Sequence, residues 1–307
     1  MKTRDHGGNL DAAIAQYGGT RSDWVDLSTG INPVPYPVGD ISAQSWGTLP
    51  DKTAMTALIA AARKFWNVPD RAAILPANGA SALIRRMPEI AGSAYIPTPT
   101  YNEHAAAFGS ADTSNPMSPV HIYVHPNNPD GRLWPSDAIG GRPMTVIDES
   151  FCDVTPDQSH ISRAGEDGIV ILKSFGKFWG LAGLRLGFMI GTPILIARMA
   201  ELLEPWSVNG PALEIGTRAL NDPEWAEQTR HRLSEHAAYM DRIFTAKGAT
   251  IAGGTSLFRL YRVDSAVQWR DRLARGHVWS RIFPYADDWI RVGLPAPHQW
   301  DQLKAAL

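Results

Sequence analysis

SFGKFWGLAGLRLG, Ser174–Gly187, is the stretch whose reading decides the fold. It follows Gly168–Leu172 (GIVIL), an apolar run too short for a helix and rich in β-branched residues. That predicts a buried strand ending just before Lys177. Groups at the carboxyl end of a strand in an open α/β sheet stand where such folds bind ligands. Between Phe175 and Leu184 Lys177 is the only charge, among Phe178, Trp179, Leu181 and Leu184. Desolvation among such groups disfavours an ammonium, and a neutral lysine amine attacks carbonyls. The ordinary alternative is a loop lysine with only its stem covered. Glycines at 176, 180, 183 and 187 argue for the ligand, since they let backbone lie close to it, and Arg185 offers a planar fork to an anion. A nucleotide phosphate loop is excluded. It needs glycine five residues before Gly176 and Ser or Thr after the lysine, where this chain has Ile171 and Phe178.

Upstream, a strand-then-turn pattern repeats. Ala72–Leu75 runs into Asn78-Gly79-Ala80-Ser81 and a helix over 82–90, whose first amides form an anion cradle or a routine cap. Tyr95-Ile96 leads to Pro97-Thr98-Pro99-Thr100-Tyr101, where the tyrosine ring either faces a heteroaromatic ligand or packs half-buried. Val120–Val124 ends in His125-Pro126-Asn127-Asn128-Pro129-Asp130-Gly131, a turn by composition. Met144–Ile147 ends in Asp148-Glu149-Ser150-Phe151. An aspartate just past a buried strand caps a helix or partners a cation.

In order, Asn-Gly-Ala-Ser, Pro-Thr-Tyr, Asn-Asn-Pro-x-Gly, Asp-Glu-Ser-Phe, Ser-x-x-Lys and Gly-Leu-x-Gly-Leu-Arg-x-Gly resemble the signature set of fold type I pyridoxal-phosphate enzymes, the class I/II aminotransferase superfamily. The resemblance implies an α/β, PLP-dependent transferase-like fold with a large, mostly parallel-sheet domain and a smaller α+β domain. It implies pyridoxal 5′-phosphate as cofactor, with Lys177 its Schiff-base lysine. Gly79, Ala80, Ser81, Ser174 and Arg185 would hold the phosphate, Tyr101 stack on the pyridine and Asn128 bond the ring hydroxyl. Asp148 would pair with the ring nitrogen and keep the ring an electron sink. Trp289-Ile290-Arg291-Val292-Gly293 resembles the family's carboxylate-binding strand, with Arg291 the bidentate clamp. His6, Gly7, Gly8 and Asn32 are candidates for a substrate phosphate. The expected reaction is decarboxylation of a small phosphorylated amino acid, with transamination or non-catalytic cofactor holding as alternatives. A homodimer is expected. The sequence departs from the family's pattern at Leu49, where many relatives carry a tyrosine that reaches the neighbouring subunit's cofactor phosphate, at Phe151 for another tyrosine, and at Gly176 for a hydroxyl residue.

The 307 residues suffice for two domains and a substantial core. A net charge of −2 with scattered Lys and Arg points away from nucleic acid and membrane surfaces. No membrane span or apolar leader is expected, and no metal site, so cytoplasmic residence is expected. Cys152 precludes an intramolecular disulfide and reads as a small core residue rather than a catalytic thiol. Three regions follow: an N-terminal arm over 1–38 packing with the small domain, a large domain over 39–210, and a linking helix with the small domain over 211–307. Helices are predicted over 10–17, 53–66, 193–203, 223–247 and 265–274, and strands over 257–263, 278–283 and 289–292.

Overall fold

The structure, a computed structural model, describes residues 6–307. Its helices are α1 (Leu10–Tyr17), α2 (Ala43–Gly47), α3 (Lys52–Phe65), α4 (Ala80–Ala91), α5 (Asn102–Ala107), α6 (Pro193–Leu202), α7 (Gly210–Leu220), α8 (Pro223–Thr245), α9 (Ala266–Arg275) and α10 (Trp300–Ala306). Its strands are β1 (Val25–Asp26), β2 (Ala73–Ala77), β3 (Ala94–Tyr95), β4 (Val120–Val124), β5 (Met144–Asp148), β6 (Ile169–Ser174), β7 (Gly187–Gly191), β8 (Thr250–Thr255), β9 (Phe258–Arg262), β10 (Val278–Trp279), β11 (Arg281–Phe283) and β12 (Ala286–Gly293). The chain divides into two compact units, the described residues up to Val34 with Thr229–Leu307, and Pro35–Gln228.

The Pro35–Gln228 unit is built on a six-stranded sheet, β2-β7-β6-β5-β4-β3. The β3–β6 run is parallel, and β7 lies antiparallel between β6 and β2. Every residue of β4, β5 and β7 is buried, so burial does not alternate along these strands, and only His121, Thr145 and Asp148 interrupt their apolar composition. Leu83, Ile84 and Met87 of α4 and Ile196 and Met199 of α6 bury their apolar stripes in a core with Val146, Val170 and Met189. Gly216 of α7 sits where an added Cβ would come within 3.0 Å of Leu58 on α3, so the two helices approach closely only through glycine. That contact puts α7 in this unit, and the division falls at 34/35 and 228/229 instead of 38/39 and 210/211.

The second unit carries an antiparallel sheet β11-β12-β9-β8 and the parallel pair β1-β10. Residues 278–283, expected as one strand, break at Ser280 into β10 and β11, which join different sheets. The segment after β1 stays in register with this unit, as Gly293 donates its N–H to Leu27 O at 2.7 Å. Among the described residues no helix is long and apolar enough to cross a membrane.

Candidate active site

One edge of the six-stranded sheet collects the predicted groups, and topology is the reason. The carboxyl ends of β2, β4, β5 and β6 lie together because these strands run the same way; β7 runs the other way, so its start joins them, with Ser174 and Ala77 both paired to Gly187. Arg185, just before β7, therefore lands beside Gly79 and Ser174. A cavity of about 110 Å³ at this edge is lined by Gly79, Ala80, Ser81, Tyr101, Asn128, Asp148, Phe151, Ser174, Gly176, Lys177 and Arg185.

At one end lies an anion cradle. Gly79 caps α4 at φ 79°, a left-handed conformation that favours glycine, and an added Cβ would stand 2.6 Å from Arg185 Nη2. Gly187 is equally obligatory, because a Cβ there would meet the Ala80 nitrogen at 2.3 Å. Arg185 itself is left-handed (φ 55°) and is held by Nη1 donating to Ala182 O at 2.9 Å. The Ser174 hydroxyl accepts the Gly176 N–H at 3.2 Å. Helix-start amides, a hydroxyl and a guanidinium make a donor set suited to a phosphate dianion.

At the other end Asp148 is buried, with Oδ2 2.8 Å from His104 Nε2 and Oδ1 accepting the Ser150 hydroxyl (2.5 Å) and N–H (3.0 Å). Burial pushes this carboxyl upward, but the bond and charge of His104 with the two Ser150 bonds outweigh it and hold the pKa below the usual value. The result is a fixed carboxylate suited to a protonated ring nitrogen. Lys177 Nζ lies 5.3 Å from the centre of the Phe151 ring, so the residue that replaces tyrosine gives the amine an apolar neighbour. A phosphate cradle, an anion for a cationic ring, a ring wall from Tyr101 and an amine in one cavity fit pyridoxal phosphate.

Several contributors escape a reading of the sequence. His104 stands three residues after Tyr101 on the short helix α5, and i, i+3 spacing is the one signal that pairs them. Behind the cavity Lys173 is buried with Nζ 2.6 Å from Glu149 Oε2 and 3.6 Å from Asp153 Oδ1. Burial alone would lower the Lys173 pKa, yet Glu149 and Asp153 raise it. Cys152 is fully buried, and burial pushes its thiol well up, in keeping with a core residue.

The remaining predicted residues lie in the other unit, where Gly7, Gly8 and Arg291 meet Ser28. Gly8 donates its N–H to Ser28 Oγ at 2.7 Å, and a Cβ on Gly7 would strike Ser28 O at 2.3 Å. The Gly8 amide is thus already used within the arm. Arg291 Nη2 donates to Ser28 O at 2.7 Å, while Asn32 Oδ1 accepts the Val34 N–H at 3.0 Å and faces Arg232 Nη2 at 3.4 Å. His6 is exposed. Arg291 is buried, and desolvation, then the charge of Arg281, lowers its pKa to about 10. Arg281 is its register partner across β11 and β12, a pairing visible only once the hairpin is formed.

Residues 122–307 match the aminotransferase class I and II family. The chain is 36% identical to a threonine-phosphate decarboxylase of a Sinorhizobium species, over 94% of this chain and 92% of the relative. It is 34% identical to a threonine-phosphate decarboxylase of Pseudomonas aeruginosa, over 99% and 97%. Among solved structures, histidinol-phosphate aminotransferase from Sinorhizobium meliloti in complex with pyridoxal 5′-phosphate superposes with a TM-score of 0.82 at 18% identity, over 97% of this chain and 92% of that one. The fold is that of a PLP-dependent transferase. The chain belongs to the class I and II aminotransferase family, as a pyridoxal-phosphate-dependent enzyme.

Proposed function

We propose that the protein decarboxylates L-threonine O-3-phosphate to (R)-1-aminopropan-2-ol O-2-phosphate, the reaction that supplies the aminopropanol phosphate arm of cobalamin. Near-full-length identity of 34–36% to two threonine-phosphate decarboxylases carries this reading. Pyridoxal phosphate, when bound, accepts the electron pair left as a bond to the substrate's α-carbon breaks. Gly79, Ala80, Ser81, Ser174 and Arg185 would hold its phosphate, Tyr101 would face its ring, Asn128 would bond the ring hydroxyl and Asp148 would keep the ring nitrogen protonated. Lys177 would hold it covalently through its amine. A substrate with a carboxylate and a phosphate needs two cationic contacts, and Arg291 beside Arg281 offers two guanidinium groups in register. Arg291 takes the carboxylate, while His6, Gly7, Gly8 and Asn32 shape the arm around the phosphate. Fixing both anions sets which bond at the α-carbon breaks, a positioning effect.

The same reading includes a cytoplasmic homodimer. The exposed Trp46 (72%) and Leu49 (66%) suit a face covered by a second copy, which sedimentation of the purified protein tests.

The deciding experiment incubates the purified, cofactor-loaded protein with L-threonine O-3-phosphate and scores carbon dioxide and 2-oxo acid together. Carbon dioxide with an equal amount of aminopropanol phosphate and no oxo acid is expected. Oxo acid formation would assign a transaminase of the histidinol-phosphate aminotransferase type, and absence of turnover a cofactor-holding or regulatory subunit.

A further inference from the structure

We propose that Asp153 is a positioning residue that fixes the turn carrying Lys177 to the segment carrying Asp148. This rests on the reading of Lys177 and Asp148 given above. Asp153 lies in the 3-10 turn Cys152–Val154, shortly after β5, and is 4% exposed. Its oxygens are divided between two elements: Oδ1 accepts the Trp66 indole N–H at 2.9 Å from the end of α3, and Oδ2 accepts the Trp179 indole N–H at 3.1 Å. Lys173, on β6 between the two segments, stands 3.6 Å from Oδ1 and ties the same carboxylate to Glu149.

Trp179 belongs to the turn that begins at Lys177, for Gly180 donates its N–H to Lys177 O at 3.1 Å and closes a four-residue loop around it. The Trp179 ring is fully buried, stacked on Phe175 (5.0 Å, 10°) and on Trp225 (5.4 Å, 12°), and met edge to face by Tyr36 and Phe178. Aromatic packing confines the ring, and the indole hydrogen bond adds a directional tie from its edge to the Asp153 carboxylate. On the other side, Glu149 donates its N–H to Leu172 O (2.9 Å) and Cys152 to Glu149 O (3.0 Å), so the chain from Asp148 to Asp153 is pinned to β6. Asp153 thus closes a rigid path from the carboxylate of one reacting group to the backbone of the other. Small misplacements of reacting groups cost large factors in rate.

The test compares Trp179→Phe, Trp66→Phe and Asp153→Asn with the unaltered full chain. Each protein is freed of cofactor. Then its melting temperature is measured, with the rate at which added pyridoxal phosphate becomes fixed on Lys177, trapped by borohydride and read by peptide mass. Both phenylalanine variants delete one indole N–H from the same carboxylate, so a purely structural role predicts equal effects. The expected result is attachment slowed about tenfold or more in Trp179→Phe, unchanged within about twofold in Trp66→Phe at a similar loss of melting temperature, and slowed in Asp153→Asn. Equal slowing in the two tryptophan variants, or no slowing in Trp179→Phe, overturns the inference. If Trp179→Phe does not fold, Asp153→Asn against Trp66→Phe decides by the same criterion. If the unaltered chain fixes no cofactor on Lys177, the reading of the site fails instead. The rate of Lys177 modification by a small acylating reagent then ranks the same four proteins, with the same order expected.

Discussion

The two ends of the cavity are constructed by opposite means. Asp148 is locked before any ligand arrives, because His104 and Ser150 occupy both its oxygens and burial excludes water. The phosphate end is built mainly of removals: Gly79 and Gly187 clear space for backbone amides, and Arg185 is anchored through one nitrogen to Ala182. A buried charge with no prearranged partners would neutralise itself, so the Asp148 end has to be satisfied internally. A phosphate cradle must instead leave its donors open to the ligand. The first end should accordingly govern rate and the second retention of cofactor.

That division breaks most visibly at Asp148→Asn. The side chain keeps its shape but loses its charge, so cofactor should still bind while kcat falls by about 10³-fold, the scale for an electrostatic group in a dry site. A parallel loss of cofactor affinity would contradict the division. Arg185→Ala makes the complementary case. Losing a charged contact to phosphate removes about 1.5–3 kcal/mol, or roughly 10–150-fold in the dissociation constant measured by equilibrium titration, with kcat largely recovered at saturating cofactor.

The same contrast explains what could be read from the sequence. Strand β4 coincides with its predicted span because Val120–Val124 is β-branched or aromatic except at His121, with a proline beyond either end, at 119 and 126. The cradle residues were named through the family resemblance, since by composition alone Asn78-Gly79-Ala80-Ser81 reads equally as a helix cap. The support of Asp148 was not, because its partner His104 comes 44 residues earlier in the chain, as Arg281 comes to Arg291 only through the hairpin register. Strand β7, Gly187–Gly191, with glycine at both ends, was not predicted, yet it is the strand that carries Arg185 to the edge. Helix α7 was not among the helices predicted from the sequence. In the structure Asn209 caps the helix by accepting the Ala212 N–H at 2.8 Å, and Pro211 occupies the first turn.

His104→Phe sharpens the comparison through pH. The folded pKa of Asp148 is depressed, so its contribution to stability is present above the unfolded value of about 3.9 and is lost as pH falls through the folded pKa. Phenylalanine fills the ring's space but deletes the hydrogen bond and charge that oppose burial. The folded pKa then rises, and the acid-unfolding midpoint, followed by circular dichroism, should move to higher pH. At neutral pH the loss should be about 1.5–3 kcal/mol, the worth of a hydrogen bond to a charged group. An unmoved acid midpoint would mean that Ser150 alone suffices to hold the carboxylate.

Gly79→Ala probes the other end with the smallest expected effect and two separable causes. The backbone at φ 79° and ψ 155° is a region that side chains scarcely enter, costing about 1–2 kcal/mol of stability wherever the new methyl points. The methyl also meets Arg185 Nη2 at 2.6 Å, which is the far end of a flexible side chain and can swing aside. Stability should therefore fall by the backbone cost alone, and the displaced guanidinium should appear as weakened cofactor binding. In an Arg185→Lys background the clash disappears while the strain remains. The double-mutant cycle should then show coupling in cofactor affinity and near-additivity in melting temperature. Coupling in melting temperature instead would mean that Arg185 holds up the fold at this end as His104 does at the other, and the contrast between the two ends would be lost.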